Sequence, residues 1–271
     1  MKWISIPLWL YFSTALANCL PDIPAEGMVT CEYNKFTVLL SCKDRLAVLS
    51  ILHRLEADTG SENTSSRSYF LDERANIQEC QQSSDDRYAK TNKGYDVGHL
   101  TAIDHLDDNQ VNALQTNVMT NMIPQASKFN RNGAWKRTES LVECYREKDG
   151  PNNYPPLTVY SGILFGNDIS NDHFIDSHGI TRTPDFLWKL VYSHGTNQYD
   201  AWLMQNKDSS KVSTITQSRR SIDALIKTLS IQSKLDSTVY LPVINILKEL
   251  SNKSPKRIKM VFHSRCNIRK G

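Results

Sequence analysis

The chain has 271 residues, of which 39% are hydrophobic and 23% charged, and this composition is typical of a soluble globular protein with one sizeable core. The formal net charge of +3 is too small to indicate a nucleic-acid or membrane partner by itself. The sequence contains no internal repeat or low-complexity tract, which excludes fibrous and repeat architectures, so a single domain is the simplest prediction.

The N-terminus has the pattern of a secretory signal peptide. Lys2 gives a positive start, an apolar run follows at 3–10, and Ala15 and Ala17 are small residues at alternate positions. We therefore predict cleavage after Ala17, a mature single domain of residues 18–271, and a secreted or periplasmic destination. A buried strand and a membrane anchor are the alternatives, but the run is shorter than the ~20 apolar residues that span a bilayer.

Six cysteines follow the predicted cleavage point: Cys19, Cys31, Cys42, Cys80, Cys144 and Cys266. An even number in an exported chain predicts up to three disulfides, with about 15 pairings that the sequence does not distinguish. No Cys-x-x-Cys pair is present in the sequence, which argues against a structural zinc site.

Apolar runs and turn residues predict the secondary structure in chain order. Before the histidine-containing segment we expect strands at 36–40 and 46–51 and a polar loop at 58–68. The polar, turn-rich residues at 81–93 predict a loop that leads into a short strand near His99. The next segments are a short helix or irregular connection at 107–116, an extended segment at 118–123, and a helix from Gly133 to about Lys148. Further strands are expected at 157–164, 187–192 and 199–204. The predicted class is α+β, with a mixed or antiparallel sheet.

The segment from Tyr95 to Glu139 contains the side chains that are best suited to chemistry. His99 has an ordinary pKa near ~6.5, so it can take a proton from water at neutral pH. Asparagine amides beside one histidine suit a hard, hydrated cation better than zinc, which prefers thiolates or several imidazoles. A proton acceptor next to such a cation indicates phosphodiester hydrolysis.

Three ordered motifs in this segment resemble the DNA/RNA non-specific endonucleases. Asp96-Val97-Gly98-His99 is similar to the family's Asp-Arg-Gly-His signature, and the run at 120–125 is similar to its Thr/Ser-Asn-x-x-Pro-Gln element. Asn130 stands five residues after Gln125, and Trp135 with Glu139 resembles the start of the following helix. Further matching segments on both sides extend the resemblance to about Arg67–Asn206, with weaker similarity before and after this range. It implies a His-Me finger fold with a ββα-metal active site.

The resemblance also implies a role for each matching residue. His99 would be the general base that activates water, and Asn130 would be the direct protein ligand of Mg²⁺, with Mn²⁺ as a substitute. Glu139 would hold the metal's waters, one helical turn after Trp135. Cleavage would leave a 5′-phosphate and a 3′-hydroxyl.

Two further residues take supporting catalytic roles by the same resemblance. Asn121 would orient the site, and Arg67 would stabilise negative charge at the scissile phosphate. The structural alternatives are a turn cap for Asn121, an ion pair with Asp72 for Arg67, and a solvated helix face for Glu139.

The sequence departs from the family pattern in two places. Val97 stands where the signature has arginine, which removes a permanent cation that Arg131, Lys136 or Arg137 would have to replace. One additional residue separates Asn130 from Glu139, so Asn132 is an alternative metal ligand.

Two other functions are alternatives to nuclease activity at this site. The first is a catalytically weakened nuclease-fold protein that acts as a nucleic-acid-binding or effector protein. The second is an unrelated hydrolase, although Ser161-Gly162 lacks the Gly-x-Ser-x-Gly elbow of serine hydrolases. Retention of His99, Asn130 and Glu139 favours the nuclease.

The expected partner is DNA, and possibly RNA, bound through the phosphate backbone without base readout. Basic residues without any acidic residue follow Glu249, and they would form either a solvated tail or a phosphate-attracting patch: Lys253, Lys256, Arg257, Lys259, Arg265, Arg269 and Lys270. Family relatives are often dimers, so a homodimer is an alternative to a monomer. No membrane span is expected in the mature chain.

Overall fold

The computed structural model describes residues 19–21, 27–59, 68–83, 88, 93–147, 156–233 and 237–258. The predicted signal peptide at 1–17, the catalytic candidate Arg67 and the cysteine Cys266 lie outside the described residues. Four basic residues of the C-terminal segment also lie outside the described residues: Lys259, Arg265, Arg269 and Lys270.

Eight strands form the main sheet, in the order β1-β2-β3-β4-β7-β8-β9-β10. They are β1 (Cys19–Pro21), β2 (Met28–Glu32), β3 (Phe36–Ser41), β4 (Leu46–Leu55), β7 (Leu157–Leu164), β8 (Phe186–Ser193), β9 (Gln198–Gln205) and β10 (Lys256–Arg257). Neighbouring strands are antiparallel except β9 and β10, which are parallel.

The centre of the sheet is buried on both faces. All eight residues of β7 are buried, and β8 is buried from Leu187 to Ser193. Continuous burial of this kind explains why these strands have apolar runs instead of a strict alternation of apolar and polar residues. The helix α7 (Ser237–Asn252) contacts β4, and α3 (Ala134–Arg146) contacts β9. The sheet therefore provides a rigid support for the helices that carry the candidate site.

A second sheet contains two antiparallel strands, β5 (Tyr95–His99) and β6 (Met122–Ala126), which are followed along the chain by α2 (Ser127–Asn132) and α3. Four further helices lie elsewhere in the chain: α1 (Gln110–Gln115), α4 (Ile175–His178), α5 (Ile215–Ser218) and α6 (Ile222–Ser233). Two strands followed by a helix reproduce the order expected of a ββα unit. The α+β class and the mostly antiparallel sheet are confirmed.

The predicted elements agree with the structure except at a few positions. The extended segment predicted at 118–123 is wrong in its first half, because Met119–Asn121 form a 3-10 turn and the strand begins at Met122. The sequence analysis also missed α2, because six residues with no N-terminal side-chain cap give only a weak helix signal.

Two disulfides tie the N-terminal strands to the rest of the chain. Cys19 bonds to Cys31 between β1 and β2, and Cys42 at the end of β3 bonds to Cys80. Cys144 is also disulfide-bonded.

The two glutamines that follow Cys80 bind the backbone next to the second sheet. Gln81 bonds to both backbone groups of Asp72, and the Gln82 amide donates to the carbonyls of Met119 and Met122 at 3.2 and 2.8 Å. The Cys42–Cys80 disulfide therefore fixes a segment that supports the start of β6.

No helix within the described ranges has the length and apolar character that crossing a bilayer would require.

Candidate active site

His99 is the last residue of β5, directly opposite Met122 of β6. The backbone N–H of Leu100 donates to the carbonyl of Asn121 at 3.0 Å, which holds the two strand ends together just beyond the histidine. The His99 side chain is half-buried, so it is fixed by its surroundings and still accessible from solvent.

Asn117 is the hydrogen-bond partner that orients the His99 ring. Its Oδ1 lies 2.9 Å from His99 Nε2, and its side chain is almost fully buried. An amide oxygen can only accept, so the bond places the proton on Nε2 and the lone pair of the neutral imidazole on Nδ1. The geometry thus selects Nδ1 as the atom that can take a proton from water.

The backbone around Asn117 is held by the segment that begins at residue 68. Phe70 forms a parallel bridge with Val118, in which its N–H donates to the Asn117 carbonyl at 3.3 Å and its carbonyl accepts from Met119 at 2.8 Å. The ring of the neighbouring Tyr69 lies 6.1 Å from the His99 ring. This segment therefore contributes both to the support of Asn117 and to one side of the site.

Asn121 is fully buried and makes all of its described side-chain bonds to backbone. Its Oδ1 accepts from the Thr101 N–H at 2.9 Å, and its Nδ2 donates to the carbonyls of Thr101 and Thr116 at 3.0 and 2.9 Å. These bonds join the two ends of the loop between β5 and β6. Asn121 can therefore orient the site only through the backbone that follows His99.

The carboxylate of Asp96 connects β5 to α2. It accepts from Ser127 Oγ at 2.9 Å, from Asn130 Nδ2 at 3.1 Å, and from Arg131 Nε and Nη2 at 2.8 and 2.5 Å. The bond to Asp96 raises the pKa of the Arg131 guanidinium. Asp96 consequently fixes the orientation of the Asn130 amide, and it also forms an ion pair with the mostly exposed guanidinium of Arg131.

Gly98 is required because of the side chain of Gln125, which lies opposite on β6. A Cβ on Gly98 would come within 2.2 Å of the Gln125 side chain, whose Nε2 donates to the His99 carbonyl at 3.2 Å. The backbone φ of Gly98 is not positive, so glycine is needed here for steric room and not for a left-handed conformation. Val97 on the same strand is buried in the core, which is compatible with an aliphatic residue at this position.

Glu139 lies on α3 and is largely buried, with Lys136 as its ion-pair partner. The Lys136 Nζ is 3.3 Å from Glu139 Oε2 and 2.6 Å from Asp104 Oδ2. Burial favours the neutral form of Asp104, but the attraction of Lys136, followed by smaller contributions from His105 and His99, lowers its pKa below the ordinary value. Lys136 therefore brings positive charge into the electrostatic environment of His99.

The donor set in this region fits a hydrated Mg²⁺. Asn130 uses its amide nitrogen on Asp96, so its oxygen remains the atom suited to a cation, whereas Asn132 is exposed at the end of α2. Within the described ranges, no three His, Cys, Asp or Glu side chains form a cluster of the zinc type. Mg²⁺ often keeps several waters and takes one or two protein ligands, a pattern that one amide and one nearby carboxylate can satisfy.

The structure thus places His99, Asn121, Asn130 and Glu139 on the ββα unit, while Arg67 lies outside the described residues. Sequence analysis assigned no catalytic role to Asn117. Its signal was its position in a loop rich in asparagine, but the contact with His99 joins residues 18 apart and depends on the loop path.

The two basic residues Lys256 and Arg257 form β10 at one edge of the main sheet, whereas His99 belongs to the separate two-stranded sheet. The Arg257 guanidinium lies 5.9 Å from the Tyr199 ring, and Lys253 lies 5.7 Å from the Tyr192 ring. Three residues of the basic segment are therefore part of the fold itself.

Comparisons with known proteins agree with the fold and indicate the family. A family profile described as "DNA/RNA non-specific endonuclease" matches residues 19–238. A solved structure titled "Crystal structure of the EndoG/EndoGI complex: Mechanism of EndoG inhibition" is similar in fold, with a TM-score of 0.58 and 17% sequence identity over 73% of this chain and 82% of that chain. No curated protein sequence gives a significant match.

Proposed function

This chain belongs to the DNA/RNA non-specific endonuclease family and is a nuclease, and from that premise we propose that it is a secreted, Mg²⁺-dependent endonuclease that hydrolyses DNA and RNA. The His99–Asn117 pair at the end of β5 is the observation that carries this proposal. The pair presents a neutral imidazole with its lone pair on Nδ1, which is what the activation of water requires.

The other residues of the ββα unit supply the remaining parts of the mechanism. His99 Nδ1 takes the proton from the attacking water while Asn117 holds Nε2. Asn130 would bind the cation through its amide oxygen, and Glu139 would hold the cation's waters. A divalent cation held by these residues would supply positive charge that stabilises the transition state at the phosphodiester. Breaking the bond between phosphorus and the 3′ oxygen leaves a 5′-phosphate and a 3′-hydroxyl.

Charge at the scissile phosphate is assigned to Arg67 and to Lys136. Lys136 is partly exposed and is attached by a flexible side chain, so it can leave Asp104 and Glu139 when a phosphate arrives. It is a better replacement for the signature arginine than Arg131, which Asp96 binds through two nitrogens.

The export part of the proposal has support from the disulfides. Disulfides form and persist in oxidising compartments, and two are present among the described cysteines. We assign residues 1–17 to the signal peptide and residues 18–271 to a single nuclease domain.

The test is cleavage of plasmid DNA and single-stranded RNA by disulfide-bonded protein of residues 18–271, with Mg²⁺ or with EDTA. Wild-type protein should cut only with the metal, and His99→Ala should lose ~10³-fold or more in rate, because it removes the general base. His53→Ala is the matched control, since His53 is exposed on β4 and bonds to Thr37. If folded wild-type protein binds DNA but does not cut it, the proposed catalytic function is wrong and the chain is a nucleic-acid-binding protein.

A further inference from the structure

Lys189 is a buried cation that the proposed mechanism does not use. It lies within β8, paired with Ser161 of β7 and Trp202 of β9, and its side chain is completely buried. Its Nζ finds no hydrogen-bond partner among the described residues. Burying an ammonium group in this way is costly, and a single apolar residue of similar size would avoid the cost.

The surroundings of this ammonium connect it to α3. Lys189 Nζ lies 3.9 Å from the centre of the Trp135 ring, and Trp135 is four residues before Glu139 on the same helix. A cation over an indole ring is attracted by the ring's electron density, more strongly when water is absent. Lys189 therefore holds the Trp135 ring, which lies about one helical turn before Glu139, the carboxylate proposed to hold the cation's waters.

Glu139 is also the main electrostatic partner of Lys189. Burial lowers the pKa of Lys189 to about 8, and the largest opposing influence is the attraction of Glu139, while Lys136 acts in the same direction as burial and Glu143 acts against it. Glu139 thus interacts with two lysines that differ in environment, Lys136 by direct contact and Lys189 by electrostatic attraction. Lys136 contacts it from partly exposed surface, and Lys189 faces it from the core.

We propose that Lys189 is a positioning residue for nucleic-acid hydrolysis, which acts through Glu139 by holding Trp135 in place and by keeping a fixed positive charge behind the carboxylate. The inference rests on the proposed function, since it concerns the role of Glu139 toward the metal's waters. Lys136 is mobile and is expected to turn to phosphate when substrate binds. Lys189 cannot move, so it is the cation that remains with Glu139 throughout the reaction.

The test compares Lys189→Met, Glu139→Gln and the double variant. Lys189→Met should lower kcat for plasmid cleavage about tenfold or more and weaken Mn²⁺ binding measured by electron paramagnetic resonance, while the melting temperature stays equal or rises. In the Glu139→Gln background the same change should have no further effect, because the interaction has already been removed. Lys136→Met is the matched control and should alter KM and salt dependence more than Mn²⁺ affinity.

Three results would overturn the inference: an unchanged kcat in Lys189→Met, an equal loss in the Glu139→Gln background, or a fall in melting temperature that accompanies the loss. Lys189→Leu, which also removes the charge, replaces Lys189→Met if the latter does not fold. If wild-type protein does not cleave nucleic acid at all, the proposed function fails, and Mn²⁺ affinity alone then decides whether Lys189 acts through Glu139.

Discussion

The buried ammonium of Lys189 predicts an unusual dependence of stability on pH. Its ordinary pKa of 10.5 applies to the unfolded chain, and burial lowers the pKa to about 8 in the folded protein. As pH falls from 10.5 to 8, the unfolded chain takes up this proton and the folded protein does not, so folding loses stability until both forms are protonated. At ~1.4 kcal/mol for each pKa unit, the full cost at pH 7 is about 3 kcal/mol.

Lys189→Met removes this cost and retains most of the buried volume. We therefore expect the variant to exceed wild type in the free energy of unfolding by about 3 kcal/mol at pH 7, and by a smaller margin at pH 9.5. The measurement is urea denaturation followed by circular dichroism, with disulfides intact, at both pH values. A difference between the proteins that is the same at both pH values, or that grows with pH, would refute the reasoning.

Three further predictions concern residues around the site and the core. Asn117→Ala should reduce kcat for plasmid cleavage about 10–100-fold, because His99 loses the hydrogen bond that sets its tautomer. Asn117→Asp retains a hydrogen-bond acceptor and should retain more activity in the same assay. Gly98→Ala should lower the free energy of unfolding by about 1–3 kcal/mol in urea, and Gln125→Ala should recover part of the loss, because the clash is with that side chain. Asp44→Ala should cost ~3–5 kcal/mol in the same measurement, since Asp44 is fully buried and holds Arg182 through two bonds; a loss below about 1 kcal/mol would contradict a buried ion pair.

The central strands of the sheet could be predicted from the sequence because their signals are local. The runs at 157–164 and 187–192 are apolar throughout, and burial on both faces requires this. The edge strand β10 could not be predicted in the same way. It has two exposed residues, Lys256 and Arg257, and it exists only because β9 offers backbone partners.

The sequence predicted the positions of site residues that follow from the order of the motifs. It did not predict side-chain contacts between residues that a loop separates. His99, Asn130 and Glu139 occupy the ββα unit as the motifs indicate. The Asn117 bond to His99 and the Lys189 contact with Trp135 join residues 18 and 54 positions apart, and neither spacing follows a helix or strand period. Side-chain identity gave no further help, since an asparagine in a loop and a lysine in a strand usually face solvent.

The Cys42–Cys80 disulfide has a consequence for when this enzyme becomes active. Through Gln82 it anchors the carbonyls of Met119 and Met122 on the two sides of Asn121, and through Gln81 it holds the backbone of Asp72, so the site geometry depends on a bond that a reducing compartment does not permit. We expect dithiothreitol, and equally Cys80→Ser, to lower the rate of cleavage before either unfolds the main sheet. A nuclease built in this way would cut nucleic acid slowly in any compartment that keeps its thiols reduced, and would reach full activity only after the disulfide has formed.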